Sequence, residues 1–215
     1  MTSARSDTTW RSRDELLVLH AVRLAGFADT AAVTDRVDLP TDSVGATLHV
    51  LEGQQLVERM AFADTGGWIL TEAGKSRDAE LLHEERDASG ARPILQATVE
   101  DFEGAANTRL VGAVTDWQLH DSIDRSQHSV EVLRELTDLA DVLGNLMTEL
   151  DARLPRFGRY SRQFSMALEK ARAGDYEWIA GVGRVSCHIV WAELHEDLLS
   201  SLGRDRSSEH HRGER

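Results

Sequence analysis

The sequence has a single cysteine, Cys187, and no apolar run that approaches the length of a membrane span. One cysteine excludes an intramolecular disulfide framework and a zinc site built from several cysteines. A membrane-spanning helix needs about 20 consecutive apolar residues, so none is predicted. Residues 1–15 carry charge but no apolar core, unlike a secretory signal. We therefore expect a cytoplasmic protein.

The chain also lacks the motifs of the common enzyme classes. It has no glycine-rich nucleotide-binding loop, no nucleophile elbow and no HExxH zinc motif. Cys187 and His188 are adjacent, but neighbouring positions of a helix point about 100° apart, so they do not form a nucleophile–base pair. In the HED run at 195–197, both acids are predicted to face solvent. The sequence favours a binding protein over an enzyme, and it predicts no cofactor and no metal site.

Basic charge is scarce throughout the chain. The formal net charge is −13 at pH 7. Residues 1–77 hold 8 Lys/Arg against 11 Asp/Glu, and the remainder holds 16 against 26. Proteins that bind nucleic acids usually carry a basic surface, because phosphate neutralisation supplies much of their affinity. The composition argues against DNA binding unless a local basic patch outweighs the acidic remainder.

Residues 10–85 have the element order of a winged helix-turn-helix domain. Apolar periodicity predicts helices over 14–26, from Asp29 or Thr30, and from Thr41. The third of these helices has its apolar stripe at Val44, Leu48 and Leu51. A tight hairpin follows at three residues suited to positive φ: Asp64, Gly66 and Gly67. A further helix begins after Thr71, its predicted N-cap.

This stretch resembles the MarR-like winged-helix transcriptional regulators over about residues 14–85. The resemblance is carried by LEGQQLVER (51–59) followed by GGWILTEAGK (66–75). It implies a winged-helix fold and a regulator that binds DNA as a dimer in response to a ligand.

The remainder of the chain is predicted to be helical, which makes the protein mainly α. After a linker at 86–92, helices are expected at about 93–119, 126–152, 156–173 and 185–202. They form a second domain at 93–204 for ligand binding or dimerisation. The run TDWQL…LPRFGRY…HIVWAELHEDLLSSLG (115–119, 154–160 and 188–203) is similar to a segment that accompanies winged helices in actinobacterial proteins, and it implies no particular activity. Residues 205–215 are polar and expected to be disordered.

The predicted DNA-reading helix carries no lysine or arginine between Thr41 and Glu58. Base edges would be contacted by Ser43, His49 and Gln54, and phosphate by Thr41 or Ser43. Cations would come from the flanks: Arg11, Arg13, Arg59, Lys75 and Arg77. Alternatively, the small, neutral outer stripe packs against the second domain or a partner protein. Burial of Ala46, His49 and Val50 would exclude DNA reading.

The last helix places two histidines, His188 and His195, on its apolar face, while Ser186, Glu193, Glu196 and Asp197 are predicted on the opposite, solvent side. The histidines are either hydrogen-bonded core residues or part of a ligand pocket; they lie about 10 Å apart, too far to share a metal ion. Arg109, at the margin of an apolar stripe, either forms an internal ion pair or binds an anion. The candidate ligand-binding residues are Arg109, Asp116, Trp117, His188, Trp191 and His195. Their ligand would have a flat apolar body and an anionic group.

Two hypotheses follow. The favoured one is a ligand-responsive winged-helix regulator that binds DNA as a homodimer. The alternative is a protein that does not bind DNA, either a pathway enzyme using the helical pocket or a module that docks a partner.

Overall fold

The computed structural model describes residues 13–62, 65–119 and 125–204, and in that part the protein is mainly helical with one two-stranded sheet, as predicted. In chain order the elements are α1 (Asp14–Ala25), α2 (Thr30–Thr34), α3 (Thr41–Gly53), β1 (Val57–Phe62), β2 (Thr65–Leu70), α4 (Glu72–Ser89), α5 (Arg92–Asp101), a π-helical segment (Phe102–Ala106), α6 (Asn107–Leu119), α7 (Arg125–Arg153), a 3₁₀ turn (Pro155–Phe157), α8 (Gly158–Arg172), α9 (Glu177–Ala180) and α10 (Cys187–Leu202). The tail at 205–215, Asp64 and Arg11 lie outside the described residues.

The N-terminal elements form one hydrophobic core. Val44, Leu48 and Leu51 of α3 are fully buried in it, which confirms the predicted inner stripe. Strands β1 and β2 pair antiparallel, with Val57 opposite Leu70. The predicted N-caps are also confirmed, since Asp29 accepts from the Ala32 amide at 2.8 Å and Thr71 from the Gly74 amide at 3.0 Å.

Helix boundaries differ from the sequence prediction in two places. Residues 86–89, expected in a linker, continue α4, which ends at Gly90 in a left-handed conformation. The helix expected at 93–119 is interrupted by the π-helical segment, inside which Gly104 has non-helical backbone angles (φ −64°, ψ −118°). Such segments change the direction of a helix, so α5 and α6 present their side chains to different neighbours.

A second hydrophobic core is built by α5 to α10. Helix α10 lies at its centre and also packs against α1 and α4 of the first core. Both faces of α10 are therefore covered. The prediction that Ser186, Glu193 and Asp197 face solvent is wrong, because all three side chains are buried. A helical wheel identifies the apolar face but not a second helix that covers the polar one.

None of the helices in the described ranges is both long enough and apolar enough to cross a membrane.

Candidate functional site

The outer face of α3 is open to solvent. Ala46 and His49 are exposed, and Val50 is 59% exposed. Because all three residues are exposed, the alternative in which the stripe packs against the second domain is wrong. The face remains available to a partner outside the chain.

The polar residues predicted to contact DNA lie on or beside this face. Thr41 and Gln54 are exposed, while Ser43 is half-buried. His49 donates through Nδ1 to the carbonyl of Gly45 at 2.7 Å, an interaction within its own helix. The exposed acid Asp42 lies in the first turn of α3, where it opposes approach of a phosphate.

Four of the five predicted flanking cations lie in the described residues, and their surroundings differ. Arg13 pairs with Glu84 at 3.3 Å. Lys75 pairs with Glu72 at 2.7 Å, and Arg77 pairs with Glu15 at 2.9 Å. Hydrogen bonding to Glu15 is the largest influence on Arg77 and raises its pKa. The exposed Arg59 instead lies with its guanidinium 5.2 Å from the centre of the Trp68 ring.

Trp68 brings the hairpin and α3 together. Its ring also contacts the edge of His49, with ring centres 5.9 Å apart, and its indole N–H donates to Thr30 at 3.1 Å. Arg59 and His49 therefore both contact the buried indole ring of Trp68. Of the predicted cations, Arg59 is the one best placed to act together with α3.

The predicted ligand-binding residues do not form one pocket. Arg109 donates to Glu135 on α7 at 2.6 Å, which confirms the internal ion pair. Asp116 is exposed, and the buried Trp117 contacts Tyr176, with ring centres 5.4 Å apart. These three residues of α6 therefore face α7, solvent and the segment before α9.

The remaining three residues lie on α10. Trp191 stacks on Phe102 at 4.8 Å and donates to Asn107 at 3.2 Å. His195 lies 5.2 Å from the Phe102 ring and 3.1 Å from a Glu103 carboxylate oxygen. His188 is half-buried, and burial lowers its pKa. None of the six predicted residues lines the cavity of about 360 Å³ between α1, the turn before α3 and α8.

A buried network of charged side chains, which the sequence did not predict, joins the two cores. Its centre is Arg156, which donates to Glu85 at 2.7 Å, to Asp197 at 2.5 Å and to Ser201 at 2.7 Å. Asp197 also accepts from the Tyr160 hydroxyl at 2.6 Å. Four elements contribute: α4, the 3₁₀ turn, α8 and α10. The i, i+4 spacing of Glu193, Asp197 and Ser201 was the available sequence signal.

His20 links α1 to this network. Its Nδ1 lies 3.1 Å from Asp78 of α4, and its Nε2 lies 3.2 Å from Asp197 of α10. Burial alone would lower the pKa of His20, but the two carboxylates outweigh burial and raise the pKa to about 9. For Asp197, burial opposes ionisation, yet Arg156, His20 and Arg159 hold its pKa well below the ordinary value. The network is therefore charged at neutral pH.

The C-terminal unit, helices α5 to α10, also binds the turn between α2 and α3 through side chains of α8 and α10. Arg159 donates to the carbonyl of Arg36 at 2.8 Å, and Gln163 donates to that of Asp35 at 2.6 Å. Arg162 pairs with Asp38. The Arg36 guanidinium reaches Glu193 of α10 at 2.6 Å. A displacement of α8 or α10 would thus be transmitted to the start of α3.

We expect the His20 bridge to make stability depend on pH. A raised pKa contributes stability that is complete below pH 6.5 and is lost as the pH rises through about 9. The contribution is about 3 kcal/mol. Urea unfolding at pH 6 and above pH 9 should show this loss in the parent protein and not in His20→Gln. His49→Gln, on the exposed face, should keep the parent pH dependence; an equal pH dependence in His20→Gln would contradict the assignment.

Comparisons of the chain with protein-family models, with curated proteins and with solved structures found no match.

Proposed function

We propose that the chain is a ligand-responsive, winged-helix transcriptional regulator that contacts DNA through α3 and Arg59. One observation carries the proposal: the inner stripe of α3 is fully buried while its outer stripe is exposed next to a β-hairpin. A helix that is anchored on one side and free on the other suits insertion into the major groove.

The chemistry of this face favours weak, salt-sensitive binding. Hydrogen bonds to base edges would come from Ser43, His49 and Gln54, none of which carries the fork of an arginine. Phosphate contacts would come from Thr41 at the helix N-terminus and from Arg59. Because few cations contribute, binding should be weak and should be lost as salt screens them.

The turn between α2 and α3 provides a route by which a ligand can regulate the position of α3. Residues 35–38 are bound by side chains of α8 and α10. A ligand that stabilises one arrangement of α8 and α10 would therefore bias the position of α3.

The proposal includes a homodimer, because a two-fold regulator presents two reading helices one DNA turn apart. Exposed apolar side chains on the packed pair α6 and α7 are available for pairing: Val111, Leu119 and Val130. Light scattering that gives the 23.9 kDa mass of a single chain at micromolar concentration would contradict this part.

The test is fluorescence anisotropy with DNA from upstream of the coding sequence. Arg59→Ala should weaken binding by about tenfold and reduce its salt dependence, as expected for a lost phosphate contact. The control is Arg134→Ala, which removes a 70% exposed arginine on α7 and should leave binding unchanged. Equal effects of the two substitutions would contradict the role of α3 and Arg59.

A second candidate function is the docking of a partner protein on the same face. It is favoured by the exposed apolar residues Val50 and Met60, the latter 46% exposed, and by the lack of cations on α3. No DNA binding even at about 50 mM salt would favour this candidate.

A further inference from the structure

A cavity of about 360 Å³ lies between α1, the turn before α3, and the C-terminal unit. This volume is at the lower end of the range for small-molecule sites, ~300–1,000 Å³. One side of the cavity is apolar, lined by Leu17, Ala21, Val37, Leu39 and Pro155. The other side is polar, lined by His20, Arg36, Arg156, Arg159 and Asp197, together with two exposed acids, Asp14 and Asp38. The cavity can therefore orient a molecule that has one apolar end and one polar end.

The buried acid of the polar side is already engaged. Both oxygens of Asp197 accept bonds, one from Arg156 and Ser201 and the other from Tyr160. Arg36 and Arg156 are each bonded to carboxylates. The other two acids of the lining, Asp14 and Asp38, are exposed, so the buried part of this side has little to offer a ligand that donates hydrogen bonds.

Donors, by contrast, remain available. His20 is 3% exposed, and its Nε2 faces Asp197 as an ion pair at 3.2 Å but without the geometry of a hydrogen bond, so its N–H remains free to donate. The ring is protonated at neutral pH, because its pKa is about 9, so Nε2 carries a hydrogen. The described hydrogen bonds of Arg159 go to two uncharged oxygens, the Arg36 carbonyl and the Tyr160 hydroxyl. Its nearest described carboxylate oxygens are 3.8 and 4.0 Å away, on Asp197 and Glu193.

We propose that this cavity binds a small monocarboxylic acid, with the carboxylate between His20 and Arg159 and the apolar body against Leu17 and Leu39. A carboxylate supplies a charged acceptor for the donors of His20 and Arg159. A multiply charged ligand would meet repulsion from the three acids of the lining, Asp14, Asp38 and Asp197. The assignment holds whether or not the chain binds DNA.

The test uses the full chain and three carboxylates of increasing apolar size: acetate, isovalerate and hydrocinnamate. Each is compared with its neutral amide by titration calorimetry and by thermal unfolding at pH 7. Concentrations up to about 10 mM cover millimolar Kd values. At least one of the two larger acids should bind and raise the Tm, and its amide should bind at least tenfold more weakly, because it loses a charge-assisted hydrogen bond. Failure of all three acids to bind, or equal binding of acid and amide, would overturn the proposal.

Variants locate the binding site. Leu17 is half-buried and lies outside the hydrophobic core, so Leu17→Trp should fill the cavity without unfolding the protein, and should abolish binding of the acid. The control is Val182→Trp in the segment between α9 and α10, where the valine is 89% exposed and outside the cavity lining; it should bind as the parent does. Binding that persists in Leu17→Trp would place the acid elsewhere and overturn the assignment. Because these readouts contain no DNA, their failure is distinct from failure of the proposed regulatory function.

The polar end is tested in the same titrations. Arg159→Gln should weaken binding of the acid by about tenfold or more, as one charged donor is lost, and should leave the amide unaffected. Arg172→Gln, on the same helix but outside the cavity lining and bonded to Thr137 of α7, should change neither. A similar loss for acid and amide in Arg159→Gln would contradict a carboxylate contact.

Discussion

Replacing Asp197 with alanine is expected to lower the free energy of unfolding by about 3–5 kcal/mol, the range for breaking a buried ion pair from one side. Asp197 is fully buried and faces Arg156 at 2.5 Å and His20 at 3.2 Å. Its removal leaves two buried cations, His20 and Arg156, without this carboxylate. The Tyr160 hydroxyl also loses its acceptor.

The measurement is urea unfolding at pH 7, with Glu196→Ala as the matched control. Glu196 precedes Asp197 on α10, but its side chain is 30% exposed and lies 3.3 Å from Arg23. A partly exposed pair contributes up to about 1 kcal/mol, so the control should be close to the parent. If Asp197→Ala costs no more than Glu196→Ala, the network does not stabilise the junction between the two cores.

Local features of the N-terminal half were predictable from sequence because they depend on neighbours along the chain. The spacing of Val44, Leu48 and Leu51 marks one face of a helix whatever lies opposite. Caps at Asp29 and Thr71 likewise satisfy amides only three residues further on. The positions of these elements therefore followed from residue type and spacing alone.

The buried network of charged side chains that joins the two cores was not predictable in the same way. Glu193 and Asp197 read as solvent-facing because acids on a helix are usually exposed. Their burial depends on arginines that come from elsewhere in the chain: Arg36 after α2, and Arg156 and Arg159 around the start of α8. Residue type and spacing in a single sequence give no sign that these distant residues meet.

The predicted ligand site that combines Arg109 and Trp117 with residues of α10 requires residues 93–119 to form one straight helix. The break at Gly104 separates the side chains that this helix would have aligned. Phe102, before it, meets Trp191 and His195 of α10, whereas Arg109 and Trp117, after it, meet Glu135 and Tyr176. The aromatic and basic residues expected around one cavity therefore lie in separate places, some against α10 and the others against α7 and Tyr176.

Trp191→Ala is expected to lower the free energy of unfolding by about 3–5 kcal/mol, as found for large aromatic residues removed from packed cores. Trp191 is 2% exposed, stacks on Phe102 and lies 5.9 Å from the Phe164 ring. Alanine would leave a void between α5, α8 and α10, and the side chain of Asn107 would lose its bond from the indole. If Trp191 lined an open pocket, its removal would lower the free energy of unfolding by less, because fewer neighbouring side chains would lose packing contacts.

Trp178→Ala is the matched control, since it removes the same side chain from a half-buried position on α9. There the ring is covered by Lys170, whose ammonium lies 3.7 Å from the ring centre. Loss of that contact and of partial burial should cost about 1–2 kcal/mol. Urea unfolding of both variants decides between a packed core and a pocket. A cost at Trp191 no larger than at Trp178 would mean that the α10 face is loosely filled, and it would favour the ligand site predicted from Trp191, His188 and His195.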